Sequence, residues 1–364
     1  MSRTAIVLFN LGGPDRPQSV RPFLFNLFND PAIIGLPQPL RWLIAKFISG
    51  RRAATARAIY DRIGGGSPLL ANTAAQARAL EAALGPDHRC FIAMRYWHPL
   101  SDEAARAVKD WGPDRVVLLP LYPQFSTTTT GSSLTAWRKA AQRVGLSVPT
   151  AALCCYPRMP GFIAAVAALT RQSLAEIPAG IACRVLFSAH GLPKKIVAGG
   201  DPYQFQVEAT VAALRAALNL PALDSVICYQ SRVGPLAWLG PATDAEIARA
   251  GTAGIALVVV PVAFVSEHSE TLVELEIEYR HLAERSGVPD YRVVPAVGVE
   301  SAFIAGLAAL VRQTVSAGLH CGEGARLCPP EFARCPLASG EPEAGSLAGS
   351  ALSTRGSRPS TSSA

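Results

Sequence analysis

The sequence predicts an α/β fold of two similar Rossmann-like domains, each a doubly wound parallel sheet, with a cleft between them. Mostly apolar, β-branched runs alternate with amphipathic stretches from Thr4 to about Leu310, which is the pattern of βα units and a parallel sheet. A strand-like run that ends in proline and is followed by an aromatic residue and serine occurs twice, at 116–126 and 257–266. This repeat indicates two related halves.

Composition narrows the class of protein. The 364 residues are enough for two domains of roughly 100–200 residues each. Hydrophobic residues make up 49% and charged residues 17%, and no run reaches the roughly 18 apolar residues of a membrane span. The chain enters a strand-like segment at once, without a signal segment, so we expect a cytoplasmic protein. The net charge of +7 is not gathered into a basic stripe with interleaved aromatic residues, so we expect no nucleic-acid partner.

Four strands are predicted in each half of the chain. They cover 5–9, 90–94, 115–119 and 150–154 in the first half, and 184–187, 225–228, 256–260 and 292–294 in the second. We therefore place an N-terminal domain at 1–155 and a C-terminal domain at 156–318. A cysteine-rich extension follows at 319–338. The Ser/Gly/Ala/Pro tail at 339–364 has no apolar periodicity and is expected to be disordered.

Residues 23–48 are too apolar for one helix that faces one core. The apolar members are Phe23, Leu24, Phe25, Leu27, Phe28, Ile33, Ile34, Leu36, Leu40, Trp42, Leu43, Ile44, Phe47 and Ile48. Two core helices would use these side chains. The alternative is an exposed apolar lip, flanked by Arg41, Lys46, Arg51 and Arg52, for a large flat apolar ligand or an anionic membrane surface. Such a face could also belong to a homodimer.

The segment 255–278 carries the clearest chemical signal. Its first residues predict a strand buried on both faces, and Ser266 is a good N-cap for an α-helix. Glu270, Glu274 and Glu278 recur at every fourth position, so on an α-helix they form a ladder on one face. A solvated acidic face is one explanation. A path for a cation is the other, and its position just past the carboxyl end of a strand favours that explanation.

Two histidines follow predicted strands of the second half. His190 lies in FSAHGLP directly after 184–187, and His268 lies between the strand 256–260 and the acidic ladder. Together with Glu270 they offer mixed nitrogen and oxygen donors, which suit borderline divalent metals such as Fe2+ or Zn2+. A neutral imidazole also accepts protons near pH 7, so a general-base role and a metal-ligand role are both open. A satisfied structural histidine is the alternative for His190.

Eight segments resemble the ferrochelatase family, in the same order and across about 310 residues. They are NLGGP (10–14), YDRIGGGSP (60–68), RYWHPL (95–100), PQFSTTTTGSS (123–133), FSAHGLP (187–193), GDPY (200–203), QSRVGPLAWLGPATD (230–244) and PVAFVSEHSETLVELEIEY (261–279). The resemblance implies insertion of Fe2+ into a porphyrin, which displaces two pyrrole protons and gives haem.

The resemblance also implies roles for single residues. His190 matches the histidine that takes pyrrole protons or binds the metal, and Glu270 matches the acid that faces it. His268, Glu274 and Glu278 match a supporting network and an acidic path for protons or iron. The residues that match porphyrin contacts are Leu11, Tyr60 and Trp238 around the macrocycle, and Arg52, Ser67, Gln230 and Ser231 at the propionates.

Eight cysteines in a chain with no export signal point to thiols or metal ligands rather than disulfides. Cys321, Cys328 and Cys335 are spaced C-x6-C-x6-C, which is wider than a zinc knuckle. They resemble the three C-terminal cysteines that bind a 2Fe-2S cluster in some ferrochelatases, together with a fourth from the body of the chain. Cys155 is our choice for the fourth, with Cys154 as the alternative because strand alternation would point the two in opposite directions. A structural zinc site on the same thiols remains open.

The expected function is therefore that of a lyase: a protoporphyrin ferrochelatase that completes haem biosynthesis. The expected partners are porphyrin, ferrous iron and the inner face of the cytoplasmic membrane, which would bind the protein peripherally. The apolar lip favours protoporphyrin over coproporphyrin, whose two extra propionates suit an apolar surface less well. The alternatives are a coproporphyrin ferrochelatase, or a non-catalytic porphyrin or haem carrier with a redox-sensing Fe-S centre.

Overall fold

Two parallel β-sheets form the framework of the protein. The computed structural model describes residues 2–338 except 233 and 315. The first sheet has the order β2-β1-β3-β4-β9 and contains β1 (Thr4–Asn10), β2 (His88–Met94), β3 (Arg115–Pro120), β4 (Thr150–Leu153) and β9 (Gly318–His320). The second has the order β6-β5-β7-β8 and contains β5 (Cys183–His190), β6 (Asp224–Gln230), β7 (Ala256–Pro261) and β8 (Tyr291–Val293). The predicted α/β class is confirmed.

All eight predicted strands are present, and the structure adds one that was not predicted. β9 pairs in parallel with β4, from Ala151 opposite Gly318 to Leu153 opposite His320. Its sequence, Gly-Leu-His, has a single apolar side chain, so no apolar run separates it from a loop. The extension expected from 319 therefore begins inside the first sheet. The domain boundaries at 155 and 318 remain predictions, and the tail at 339–364 lies outside the described residues.

Eleven α-helices are described, together with a short 3₁₀ helix (Pro17–Ser19) and a π-helix (Glu270–Tyr279). The α-helices are α1 (Val20–Phe28), α2 (Gln38–Asp61), α3 (Leu69–Leu84), α4 (Ser101–Trp111), α5 (Thr130–Val144), α6 (Pro160–Ala175), α7 (Lys194–Ala198), α8 (Tyr203–Leu218), α9 (Thr243–Thr252), α10 (Arg280–Ser286) and α11 (Ser301–Gln313). None of the helices in the described part of the chain combines the length and apolar character needed to cross a bilayer.

Helices between the two sheets build a shared hydrophobic core. Ile6 and Leu8 of β1 belong to the same buried cluster as Val185 and Phe187 of β5. α11 packs against α3 and α6, and α6 packs against α8. β1 and β7 are buried along their whole length, as expected for parallel strands covered on both faces, which explains their continuous apolar sequences. This packing holds the carboxyl ends of the strands in fixed positions.

The apolar region at 23–48 divides into a buried part and an exposed part. Phe23 and Leu24 of α1 lie in a core cluster with Tyr60 and Tyr96. The first half of α2 instead exposes Leu43 (57%) and Phe47 (66%), together with Leu40 and Trp42. The Lys46 ammonium nitrogen lies 4.8 Å from the Trp42 ring centre. Burial of both helices in a core is therefore wrong for this part, and we call residues 40–47 the apolar lip from here on.

Candidate active site and cysteine cluster

The candidate active site lies where three strands of the second sheet end. β5 ends at His190, and its parallel neighbours β6 and β7 end at Gln230 and Pro261. Because parallel strands bring their carboxyl ends to one edge of the sheet, the segments that follow them meet there. The loop after β7 carries His268 and leads into the π-helix, which starts with Glu270.

Glu270 lies between the two predicted histidines. Its Oε2 atom is 3.6 Å from Nε2 of His190 and 3.7 Å from Nε2 of His268. The exposed fraction of the side chain falls from 42% for His190 to 24% for Glu270 and 9% for His268. The three groups therefore form a row that runs from solvent into the protein, with the carboxylate in the middle.

The hydrogen bonds of His190 define its protonation. Its Nδ1 lies 2.6 Å from the carbonyl oxygen of Gly191, which can only accept a hydrogen bond. Nδ1 therefore carries a proton, and in the neutral ring Nε2 has the free lone pair that faces Glu270. The Tyr203 hydroxyl donates to the His190 carbonyl at 3.1 Å and holds the residue from the other side. A ring in this tautomer can accept a proton at Nε2.

Opposite electrostatic effects act on two neighbouring carboxyl groups. Burial opposes ionisation of Glu270, but the charges of His190 and His268 outweigh it and lower the pKa of Glu270 to about 2. Burial and the nearby Glu270 charge raise the pKa of Glu274 above its ordinary value. The site therefore places a firmly ionised carboxylate beside a carboxyl group that holds a proton more readily.

Glu274 is bound by the end of β6. Its Oε1 accepts hydrogen bonds from the Ser231 backbone N–H at 2.8 Å and the Tyr279 hydroxyl at 3.0 Å. Its Oε2 accepts from the Ser231 hydroxyl and from Gln230 Nε2 at 3.2 Å. Ser231 has φ of 59°, a left-handed conformation that is uncommon for serine and concentrates at functional sites. In this structure Gln230 and Ser231 orient Glu274, and their predicted contacts with propionates stay predictions.

The predicted α-helix after Ser266 is wrong. The helix over Glu270–Tyr279 is a π-helix with i to i+5 hydrogen bonds, and it continues into α10. Ser266 does not cap it, since its hydroxyl donates to Gln76 Oε1 at 2.9 Å. The spacing of the glutamates does not distinguish a π-helix from an α-helix, because the two differ in their backbone hydrogen bonds. π-Turns frequently mark functional sites.

Glu278 is the most exposed of the three predicted glutamates, Glu270, Glu274 and Glu278. Its side chain is 46% exposed, and Oε1 lies 3.4 Å from Arg62 Nη1. Glu270 and Glu274 lie deeper in the site. The three carboxylates thus differ in burial and in partners, unlike a uniformly solvated helix face.

Residues of α3 that sequence analysis missed hold the loop after β7. Asn72 Nδ2 donates to the Glu267 carbonyl at 3.0 Å, and Gln76 Nε2 donates to the Val265 carbonyl at 2.8 Å. The Phe264 ring centre lies 4.7 Å from the His268 ring centre. Asn72 and Gln76 belong to no motif, so the sequence does not distinguish them from ordinary polar residues on the surface of a helix.

The predicted porphyrin contacts occupy both halves of the protein. Tyr60, at the end of α2, interacts with Ser269 and lies near Glu270, and burial raises its pKa to about 12. Leu11 packs against the buried cluster that includes Tyr60. Trp238 approaches Gly191, beside the catalytic candidate His190. The structure therefore brings these residues to the same region as the histidines.

Ser67 and Arg52, the propionate contacts predicted in the first half of the chain, contact residues of that same half in this structure. Ser67 Oγ accepts a hydrogen bond from the Leu69 backbone N–H at 3.3 Å. Arg52 is exposed on α2, with its guanidinium carbon 5.9 Å from the Phe28 ring centre. Neither side chain contacts the histidine row among the contacts described, and their propionate roles remain predictions.

Comparison with known proteins agrees with this geometry. The ferrochelatase family model matches residues 3–315. The chain belongs to the ferrochelatase family. It is 53% identical to the ferrochelatase of Caulobacter vibrioides over 345 residues, covering 93% of this chain and 98% of that protein. It is 54% identical to the ferrochelatase of Phenylobacterium zucineum over 343 residues, covering 93% and 99% of the two chains.

A solved structure supports the fold independently of sequence. SirB from Bacillus subtilis with Fe3+ superposes with a TM-score of 0.52 at 14% identity, covering 86% of this ferrochelatase-family chain and 95% of SirB. At this identity the likeness concerns the fold alone. The family model ends before Cys321, so the cysteine-rich extension has to be judged from its own geometry.

Five buried cysteines lie between the body of the chain and its C-terminal extension. Cys154 Sγ lies 3.4 Å from Cys155 Sγ, and Cys155 Sγ lies 3.8 Å from Cys321 Sγ. Within the described residues, this is the one group of three metal-ligating side chains whose donor atoms all lie within 4.8 Å of one another. Cys328 and Cys335 contact each other and are also buried.

The expectation that Cys154 and Cys155 point in opposite directions is wrong. β4 ends at Leu153, so the two cysteines follow the strand rather than alternate along it. Both sulfur atoms face Cys321 and its neighbours. The remaining cysteines, Cys90, Cys183 and Cys228, lie in strands, and burial raises their pKa values, as for inert core thiols.

The sulfur atoms of this cluster are the donor type that holds a thiolate-bound metal group, and their pKa values shift in opposite directions. Contacts with neighbouring thiols, together with burial, raise the pKa values of Cys154, Cys155 and Cys328. Contacts from the thiols of Cys154 and Cys155, and from the backbone N–H groups of Glu323 and Leu327, lower the pKa of Cys321 to about 3. The contact with Cys328 lowers the pKa of Cys335 to about 6, and the positive charge of Arg326 adds to the effect. Thiolates are the ligands of iron–sulfur clusters and of structural zinc.

Proposed function

We propose that this chain inserts Fe2+ into protoporphyrin IX to give protohaem, as a lyase of the ferrochelatase family. The observation that carries the proposal is the row His190, Glu270, His268 at the carboxyl ends of β5 and β7, with Glu270 Oε2 within 3.7 Å of both Nε2 atoms. Ferrous iron and porphyrin are the substrates. Metal insertion needs a proton acceptor for two pyrrole protons and an anionic route for the cation, and this row supplies both.

Each residue of the row has a distinct part in the proposed mechanism. His190 Nε2 accepts the two pyrrole protons one after the other, since Nδ1 is already protonated toward Gly191. The first proton passes to solvent, to which the side chain is 42% exposed, before the second is taken up. Glu270, with its low pKa, stabilises the imidazolium that forms. Glu274 can hold a proton because its pKa is raised. Glu278, which is exposed to solvent, would be the first carboxylate that an incoming cation meets. His268 orients Glu270 from the buried side.

The porphyrin would lie between the two halves. Leu11, Tyr60 and Trp238 would contact the macrocycle, and Arg52 and Ser67 would contact propionates. Gln230 and Ser231 could bind a propionate only by sharing their donors with Glu274. The apolar lip suits the two vinyl groups of protoporphyrin better than two further propionates.

A 2Fe-2S cluster is our proposal for the five thiols. Cys321, Cys328 and Cys335 would ligate it from the extension and Cys155, or alternatively Cys154, from the body. A 2Fe-2S cluster carries a single electron when reduced, and four thiolates hold its two irons. Zinc on the same thiols is the competing assignment, and metal analysis with an absorption spectrum of anaerobically purified protein distinguishes the two.

The apolar lip would bind the anionic inner face of the cytoplasmic membrane peripherally. Exposed Leu43 and Phe47 provide apolar contacts, and the cations Lys46 and Arg51 lie against the lip's own aromatic rings. A homodimer through the same face remains a prediction, and sedimentation with and without vesicles would separate the two uses.

The test of function is an anaerobic insertion assay with Fe2+, read from the loss of free-porphyrin absorption. Wild type should convert protoporphyrin faster than coproporphyrin. His190→Ala should reduce turnover by about 10²–10⁴-fold, the usual contribution of a general base. The matched control is His281→Ala, since His281 is exposed on α10. Porphyrin binding without insertion by the wild type would instead identify a carrier, and His190→Ala turnover within about tenfold of wild type would remove His190 from the mechanism.

A further inference from the structure

Gln206 connects the cysteines of the body with those of the extension. It is fully buried in α8, and its Nε2 lies 3.4 Å from Cys155 Sγ and 3.1 Å from Cys328 Sγ. Cys155 follows β4, whereas Cys328 belongs to the C-terminal extension. One amide group therefore contacts a sulfur atom from each part of the cluster.

The orientation of this amide follows from a backbone contact. Gln206 Oε1 accepts a hydrogen bond from the Phe125 backbone N–H at 2.7 Å. A backbone N–H only donates, so the atom facing Phe125 must be oxygen, and the atom facing the sulfurs must be the NH₂ group. Both hydrogens of Nε2 are then directed to sulfur, and this buried amide has a partner on each polar atom.

Hydrogen bonds to ligating sulfurs change the properties of a bound metal group. They withdraw negative charge from the thiolates, and the effect is strong where burial excludes water. In iron–sulfur clusters they help to set the reduction potential, because the reduced cluster is more negative and gains more from each donor. Burial of Gln206 and of all five cysteines provides this environment.

We propose that Gln206 is a positioning residue for the cysteine-bound group, which donates to Cys155 and Cys328 and raises the reduction potential of the cluster. The proposal rests on the 2Fe-2S assignment above. It also favours Cys155 over Cys154 as the body ligand, since Gln206 contacts Cys155 and not Cys154 among its described hydrogen bonds.

The experiment compares three full-length variants with wild type after anaerobic reconstitution with ferrous iron and sulfide. Gln206→Leu removes both donors, and Gln206→Met also removes them with an unbranched side chain of similar length. The matched control is Gln124→Leu, which removes a buried amide next to Phe125 that donates to Thr210 and Val262 rather than to sulfur. Potentials are titrated by visible absorption, and reduced samples are compared by electron paramagnetic resonance.

The proposal requires a set order of potentials. Wild type and Gln124→Leu should agree, and Gln206→Leu and Gln206→Met should both be more negative. Because methionine preserves the length and flexibility of the side chain, Gln206→Met keeps the test valid if Gln206→Leu does not fold. Equal potentials in wild type and the Gln206 variants would overturn the role of Gln206 and leave the cluster in place. A wild type that binds neither iron nor sulfide would overturn the cluster itself, and this inference with it.

Discussion

Replacement of Glu270 by glutamine should lower the stability of the protein in a pH-dependent way. Glutamine keeps the shape of the side chain but cannot ionise, so it removes the interaction of the carboxylate with His190 and His268. The pKa of Glu270 is lowered from its ordinary value of 4.5 to about 2, which means that the folded state stabilises the ionised form. This contribution is fully present above about pH 4.5 and is lost as the pH falls through about 2.

The size of the effect follows from the pKa difference. Roughly 1.4 kcal/mol per unit gives about 3 kcal/mol for the ionised form. The Glu270 side chain remains 24% exposed, and its distances of 3.6 and 3.7 Å to the imidazoles exceed a normal hydrogen bond. We therefore reduce the expected effect to about 2 kcal/mol. For a chain of 364 residues this corresponds to a decrease in Tm of about 3 °C, at an unfolding entropy of about 2 cal/mol/K per residue.

Calorimetric scans of wild type and Glu270→Gln from pH 6 to pH 3 would measure this. The difference in Tm should be near its full value at pH 5.5 and should shrink below pH 4.5. Glu276→Gln is the matched control, because Glu276 lies on the same π-helix in a surface ion pair with Arg280, which contributes at most about 1 kcal/mol. A Glu270→Gln protein that is as stable as wild type, or whose Tm difference does not vary with pH, would refute the electrostatic argument.

Three further outcomes are expected. Glu278→Gln should slow iron insertion less than Glu270→Gln does, because Glu278 is 46% exposed and remote from the histidines, and equal losses in steady-state assays would favour a general effect of negative charge. Phe47→Glu should weaken sedimentation with anionic vesicles, and added salt should weaken vesicle binding by the wild type. Vesicle binding that is unchanged by the substitution would show that the lip is not the membrane-binding surface. Cys321→Ser should give colourless protein of lower stability, whereas Cys90→Ser should stay coloured, and a coloured Cys321→Ser protein would exclude Cys321 as a ligand.

Much of the fold could be predicted because parallel strands buried on both faces leave a strong signal. Apolar runs identified eight of the nine strands described, including the three-residue β8, and the positions of His190 and His268 after two of them predicted that they would meet. The same reasoning missed β9, whose sequence Gly-Leu-His has a single apolar side chain, and the π-helix, whose glutamate spacing is compatible with an α-helix. It also misjudged Cys154 and Cys155, since the end of β4 at Leu153 depends on its pairing with neighbours.

The sequence by itself determined the class of fold, the family and the kinds of side chain available for chemistry, because these depend on local patterns and on motifs. The tertiary structure decided what those side chains do to one another. The packing of α3 against the loop after β7 positions His268, and the approach of the extension to α8 brings Gln206 to two sulfur atoms. Both are contacts between segments that are far apart in the sequence. The lowered pKa of Glu270 and the raised pKa of Glu274 arise in the same way. Both depend on burial, and that of Glu270 also depends on His190, which is 80 residues away in the chain, so no local pattern encodes them.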